Sequence, residues 1–208
     1  MANHSSGKGA EVEYDYFKDS FFSQADGTYQ RGEEVFVSYG TQTTDSLLQF
    51  YGFVETADNG SDMYTLRGAS DMLRARAPPE RWREVEAQVE RKAAPSMDRI
   101  ALTNKAQVGD DVKAVMRFLL GVAGSLEEAR EATSNRGDAP VWEFMLEAAR
   151  ADQRENGLGG KDDTAALKAA KRVGQSRETV AREYNMRKAK FLQGRIEQLE
   201  RRVARLRQ

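Results

Sequence analysis

Apolar residues follow two different rhythms along this chain. Up to about residue 66 they come in short runs broken by turn residues. Val12 to Phe17 and Phe21-Phe22 are such runs, and Ala25-Asp26-Gly27-Thr28 is a turn signal. After Gly32, Val35, Val37 and Tyr39 alternate with Phe36 and Ser38, a period of two that predicts a strand. Asp45 to Phe53 predicts a short helix with Leu47, Leu48 and Tyr51 on one face and Gly52 ending it. Met63-Tyr64-Thr65-Leu66 predicts one more short strand.

Beyond about residue 70 the spacing becomes helical. Pro78-Pro79-Glu80-Arg81-Trp82 is a helix start, with proline tolerated in the first turn and Trp82, Val85 and Val89 as the stripe. Val112, Val115, Met116, Leu119 and Leu120 predict a helix over 110–122. Ala139 to Arg150 predicts another, with Trp142, Met145, Leu146 and Ala149 inward. Asn156 to Lys161 reads as a flexible break, and a long helix from about Asp163 to Arg207 follows. In it Ile196, Leu199, Val203 and Leu206 keep a 3-4-3 spacing that reaches back through Leu192 to Ala189. Under three heptads is short for a coiled coil, so the stripe predicts packing on the helical remainder, with self-association through residues 178–208 as the alternative.

These patterns give an α+β fold class. A β-rich piece, 1–70, precedes an all-α piece, 71–208, with a boundary near residues 67–79. Seventy residues of short strands bury too little surface to fold well alone. The first piece is expected to lean on the second, or on sequence outside the chain.

Composition narrows the function classes. Lys and Arg number 32 against 33 Asp and Glu, so bulk charge points to neither nucleic acid nor an anionic membrane. The chain has no Cys, which removes disulfides, thiolate zinc sites and a cysteine nucleophile and fits a reducing intracellular compartment. No apolar run reaches the length of a membrane span, and no metal-ligand cluster is apparent.

The chemistry is carried by residues far apart in sequence. Asn3-His4-Ser5 is followed by Tyr29-Gln30-Arg31-Gly32-Glu33-Glu34-Val35, then Val37-Ser38-Tyr39-Gly40, Leu47-Leu48 and Tyr51-Gly52-Phe53-Val54-Glu55. Singly, each has a plain reading: His4 in a loop, Tyr39 half-buried in a strand, Tyr51 and Phe53 as core aromatics. In this order and spacing they resemble the C-terminal part of a SET-domain protein-lysine methyltransferase, of the Rubisco large-subunit methyltransferase-like branch. The match covers residues 1 to about 66; the helical remainder resembles that branch's substrate-binding domain more weakly.

The resemblance implies S-adenosyl-L-methionine as cofactor and a protein substrate, non-histone in this branch, methylated on lysine or in one case histidine. It implies that Asn3 and His4 contact the cofactor through side chain and backbone, and that Tyr39 is the active-site tyrosine. Tyr51 and Phe53 would line the lysine channel, with Tyr14 or Tyr16 as a further wall. Members of the family occur in plastid, cytoplasm and nucleus. Thr44 departs from the pattern, since many members carry Asn there, though Thr also caps helices. The inserted Gly7-Lys8-Gly9-Ala10 leaves the choice between Tyr14 and Tyr16 open. Nothing matches the family's upstream glycine-containing cofactor loop, so the expectation is a C-terminal portion, a weak cofactor binder and inactive by itself. Two other readings stand beside the enzymatic one: a vestigial SET fragment acting as a protein-binding module, and a helical self-association protein.

Overall fold

The computed structural model describes residues 3–7, 10, 12–25, 27–55, 59–132, 138–155 and 176–208. The described residues are mixed, about 53% helix and 11% strand, and so held mainly by helix packing. Among the described residues the strands form three separate two-stranded ladders. β1 (Asn3–His4) runs parallel to β4 (Phe36–Val37), β2 (Val12–Asp15) antiparallel to β3 (Ser20–Ser23), and β5 (Met63–Thr65) antiparallel to β6 (Ala101–Thr103).

The helices are α1 (Thr44–Ser46, continuing as a π-type turn over Leu47–Tyr51), α2 (Ala69–Arg76), α3 (Pro79–Glu90), α4 (Asp110–Leu119), α5 (Leu126–Glu131), α6 (Ala139–Glu155) and α7 (Arg177–Leu206). Local chemistry sets their ends. Asp110 and Asp111 place negative charge in the first turn of α4, where the helix dipole favours it. Gly121, at φ +78°, turns the chain away beyond its C-terminus. Ser125 caps α5 by accepting the Glu128 N–H at 3.1 Å, while the Glu128 carboxylate takes the Gly124 N–H at 2.7 Å. Ser176 caps α7 by accepting the Thr179 N–H at 3.2 Å.

α7, about 45 Å long at 1.5 Å per residue, lies along α6. Leu192, Ile196, Leu199 and Val203 are buried in the common core with Phe144, Met145 and Met116. Hydrogen bonds Arg150–Glu200 (2.7 Å) and Gln153–Gln193 (2.7 Å) and the pair Arg207–Glu143 (2.8 Å) flank that seam. The apolar stripe read as an option for self-association is therefore occupied by the chain's own helices. Residues 163–175 of the predicted terminal helix, and the break at 156–161, lie outside the described residues.

Four features depart from the sequence reading. The segment after residue 70 contains a strand, β6, so it is not all helix; three residues whose partner lies 38 positions earlier leave no periodic trace. That strand pairs with β5, and Tyr64 and Leu66 share one core with Leu73, Trp82 and Leu102. The end of the β-rich piece thus belongs to the helical core, whereas its buried Val37, Leu47 and Val54 are outside that cluster among the described residues. The strand predicted over 35–39 shortens to Phe36–Val37, with Val37 buried and Val35 exposed. Helices α2 and α5 are additional to the prediction.

Candidate functional site

The parallel pairing of β1 with β4 sets Asn3 beside Phe36 and His4 beside Val37. His4 is buried, and its ring is held from both sides. Nδ1 accepts the Tyr39 backbone N–H at 3.0 Å, and Nε2 lies 3.1 Å from Ser6 Oγ. Ser6 in turn donates its N–H and its hydroxyl to the two oxygens of Glu55, each at 2.5 Å. Glu55 is itself buried, so a carboxylate that would be costly to bury alone is compensated by two donors. The Asn3 side-chain amide donates to the Glu34 carboxylate.

Aromatic rings extend outward from His4. Tyr39 stacks on it with centroids 5.0 Å apart and planes 27° apart, and Tyr51 lies 4.8 Å from Tyr39. Phe53 sits beside both ends, 6.3 Å from His4 and 6.4 Å from Tyr51. Burial falls along the row: His4 is enclosed, Tyr39 and Phe53 are half-buried, and Tyr51 is 49% exposed. Such a row can take an alkyl chain along ring faces and tolerate a cation there, since the ring faces carry negative charge density.

The short helix that carries Tyr51 is fixed at both ends. Thr43, not Thr44, is its cap, accepting the Ser46 N–H at 3.1 Å. Thr44 is buried in the first turn, where its N–H and hydroxyl donate to Asp62 at 2.6 and 2.8 Å. The π-type turn follows and ends at Gly52, whose left-handed φ of +76° suits a residue without a Cβ. Only Leu47 of the predicted inward face is fully buried; Tyr51 lies at the surface. π-type turns recur at functional sites because they displace one side chain from helical register.

Helix α7 reaches the same segment. Asp45 accepts the Tyr184 hydroxyl at 2.9 Å and pairs with Lys188 Nζ at 2.6 Å, and Lys188 also donates to the Met63 carbonyl at 3.0 Å. Burial, followed by the bond to Asp45, pushes the Tyr184 phenol up to about 12. Tyr64 is raised too, by burial first and then by the charge of buried Asp152. The same Asp152 accepts the Arg67 N–H at 2.8 Å, tying α6 to the end of β5.

Tyr14 and Tyr16 lie elsewhere. They sit on the β2–β3 hairpin, edge to face at 4.8 Å, with Phe21 5.0 Å from Tyr14. The Tyr14 hydroxyl donates to Asp19, a bond that raises the Tyr14 phenol. No ring contact joins this cluster to the His4 row among the described residues. The hairpin is exposed on both faces, with Phe17 fully exposed and Tyr16 85% exposed. Of the two residues that hold His4, Ser6 lies outside the sequence motifs and Glu55 ends one of them without a role of its own. Nothing local links a loop serine to an acid 49 residues away; the folded chain reveals the pair.

Among the described residues no group of three or more His, Asp or Glu side chains could hold a metal ion, and no helix is long and apolar enough to cross a membrane. No protein-family model matches the chain, and no curated protein matches it in sequence.

Proposed function

We propose that this chain is the C-terminal portion of a SET-type, S-adenosylmethionine-dependent protein-lysine N-methyltransferase. One observation carries the reading: the β1–β4 pairing gathers His4, Tyr39, Tyr51 and Phe53 into one aromatic row from positions up to 49 residues apart. Those are residues the family pattern assigns to one site.

The residues suit the cofactor. Asn3 retains amide positions beyond the one bonded to Glu34, and a sulfonium, like other cations, is compatible with ring faces. Both His4 ring nitrogens are engaged inside the protein, so its contribution to cofactor binding would come from its main chain. Bound S-adenosylmethionine supplies an electrophilic methyl group. The protein's own task is then placement: to hold a neutral lysine amine in line with that methyl, a matter of orientation more than activation. Tyr51, Phe53 and Tyr39 would sheath the lysine stem, and the Tyr39 hydroxyl would orient the amine as charge develops on nitrogen.

The test is transfer of radiolabelled methyl from S-adenosylmethionine to protein lysine by the product of the full reading frame containing this chain, beside Tyr39→Phe. Tyr39→Phe lowers turnover about 10²–10³-fold, the range for losing a preorganised hydrogen-bonding group. Equal transfer by both proteins refutes the role of Tyr39. A second reading, a protein-binding module, is favoured by the exposed aromatic hairpin. A folded protein that neither binds S-adenosylmethionine in a calorimetric titration nor transfers methyl supports that reading instead.

A further inference from the structure

The hydrogen bonds around His4 have directions that can be worked out from donor chemistry alone. The Tyr39 backbone N–H can only donate, so Nδ1 of His4, 3.0 Å away, must carry a lone pair. The proton of the neutral ring is then on Nε2, where it points to Ser6 Oγ at 3.1 Å. The Ser6 hydroxyl has one proton, and the Glu55 carboxylate, 2.5 Å away, takes it. Ser6 Oγ is thereby left to accept from His4. Every bond in the series agrees in sense: His4 Nε2–H to Ser6, Ser6 O–H to Glu55, and Tyr39 N–H back to His4. The second Glu55 oxygen accepts the Ser6 N–H, also at 2.5 Å, so the serine is gripped at two points and its hydroxyl direction is fixed.

We propose that Glu55 is a positioning residue for Tyr39, acting through Ser6 and His4. The carboxylate fixes Ser6 as an acceptor, Ser6 fixes His4 as the Nε2–H tautomer, and the lone pair on Nδ1 anchors the Tyr39 amide. The imidazole ring so held is the plane on which Tyr39 stacks at 5.0 Å. His4 in this arrangement is a wedge: both nitrogens are committed, and neither serves as a base or a ligand. The segments involved are separated by 49 residues for Ser6–Glu55 and 35 for His4–Tyr39, so the relay also closes the two ends of the site on each other. That the placement of Tyr39 governs methyl transfer rests on the function proposed above; the relay itself does not.

His4 is the one histidine in the chain, so its ring gives unambiguous signals in a ¹H–¹⁵N correlation spectrum of the labelled protein. The wild type shows Nε2 as the protonated, pyrrole-type nitrogen and Nδ1 as the pyridine-type one. In Glu55→Gln and in Ser6→Ala the Nε2–H signal moves and exchanges faster with water, and the Tyr39 amide resonance shifts with it. Ser6 is exposed, so Ser6→Ala removes the link without opening the core. Ser6→Thr, which keeps the hydroxyl, retains the wild-type pattern. An Nδ1–H tautomer in the wild type overturns the relay without any variant. A folded Ser6→Ala protein whose Tyr39 amide stays in place overturns the coupling. Neither readout uses S-adenosylmethionine, so failure here is distinct from failure of the methyltransferase reading.

Discussion

Arg117 and Asp138 form a buried ion pair at the junction of α4, α5 and α6, and removing one partner gives the sharpest stability test. The guanidinium Nε and Nη2 donate to the two carboxylate oxygens at 2.5 and 3.0 Å, and Nη1 donates to the Ala129 carbonyl at 3.0 Å. The side chains are 5% and 0% exposed, so neither charge reaches water. Asp138→Ala leaves the guanidinium buried with one neutral acceptor, at a cost of about 3–5 kcal/mol. For a chain of this size each kcal/mol lowers Tm by about 2–4 °C, so the midpoint falls by about 6–20 °C. Urea denaturation followed by circular dichroism gives the free energy directly, with the m-value reporting whether the folded state stays as compact. The double variant Arg117→Met/Asp138→Leu removes both desolvation penalties together and recovers most of the loss, to within about 1–2 kcal/mol of wild type. A single variant that loses less than about 1 kcal/mol would refute the reasoning, because Arg117 must then find water when its partner is gone.

Two further outcomes follow from the packing and the titrating groups. Leu199→Ala costs about 2–5 kcal/mol, since Leu199 is fully buried, and leaves the sedimentation coefficient unchanged; a change of oligomeric state would mean that the stripe serves a second copy. Tyr184, raised in the folded chain to about 12 from 10.0, binds its proton more tightly folded than unfolded. Its stabilising contribution is therefore complete below pH 10 and lost as pH rises through about 12. Absorbance titration shows late-ionising tyrosines, among them buried Tyr64, and Tyr184→Phe takes one tyrosine from that late phase; loss from the early phase instead would refute the burial of Tyr184.

The parts of the fold legible in sequence are those whose burial follows a local period. Val115, Met116 and Leu119 in α4, and Trp142, Met145 and Ala149 in α6, sit inward at the expected spacing. α5 left a readable mark as well, the Ser125-x-x-Glu128 capping pattern, which is easily passed over in so short a helix. β6 left none, because a three-residue strand is defined by its partner and not by its own residues. The site divides in the same way. The ring contacts of His4 with Tyr39 and Phe53, and of Tyr51 with those two, join residues up to 49 positions apart, so no local period shows them, and the link from Ser6 to Glu55 likewise appears only in three dimensions. Tyr14 and Tyr16 make their ring contact with each other on the β2–β3 hairpin, a pairing that their spacing does not announce.

The reach of α7 back to Asp45 bears on the order in which this protein can be finished during synthesis. The Tyr184–Asp45 bond spans 139 residues. At about 5–20 residues per second, the segment carrying Tyr39 and Tyr51 waits roughly 7–28 s after its own emergence for the helix that clamps it. Until Lys188 leaves the ribosome, Asp45 lacks its cation and the Met63 carbonyl its donor, while the aromatic hairpin is already exposed. The helix that clamps Asp45 is thus made well after the segment it secures, and loss of the turns carrying Tyr184 and Lys188 would be felt 139 residues upstream.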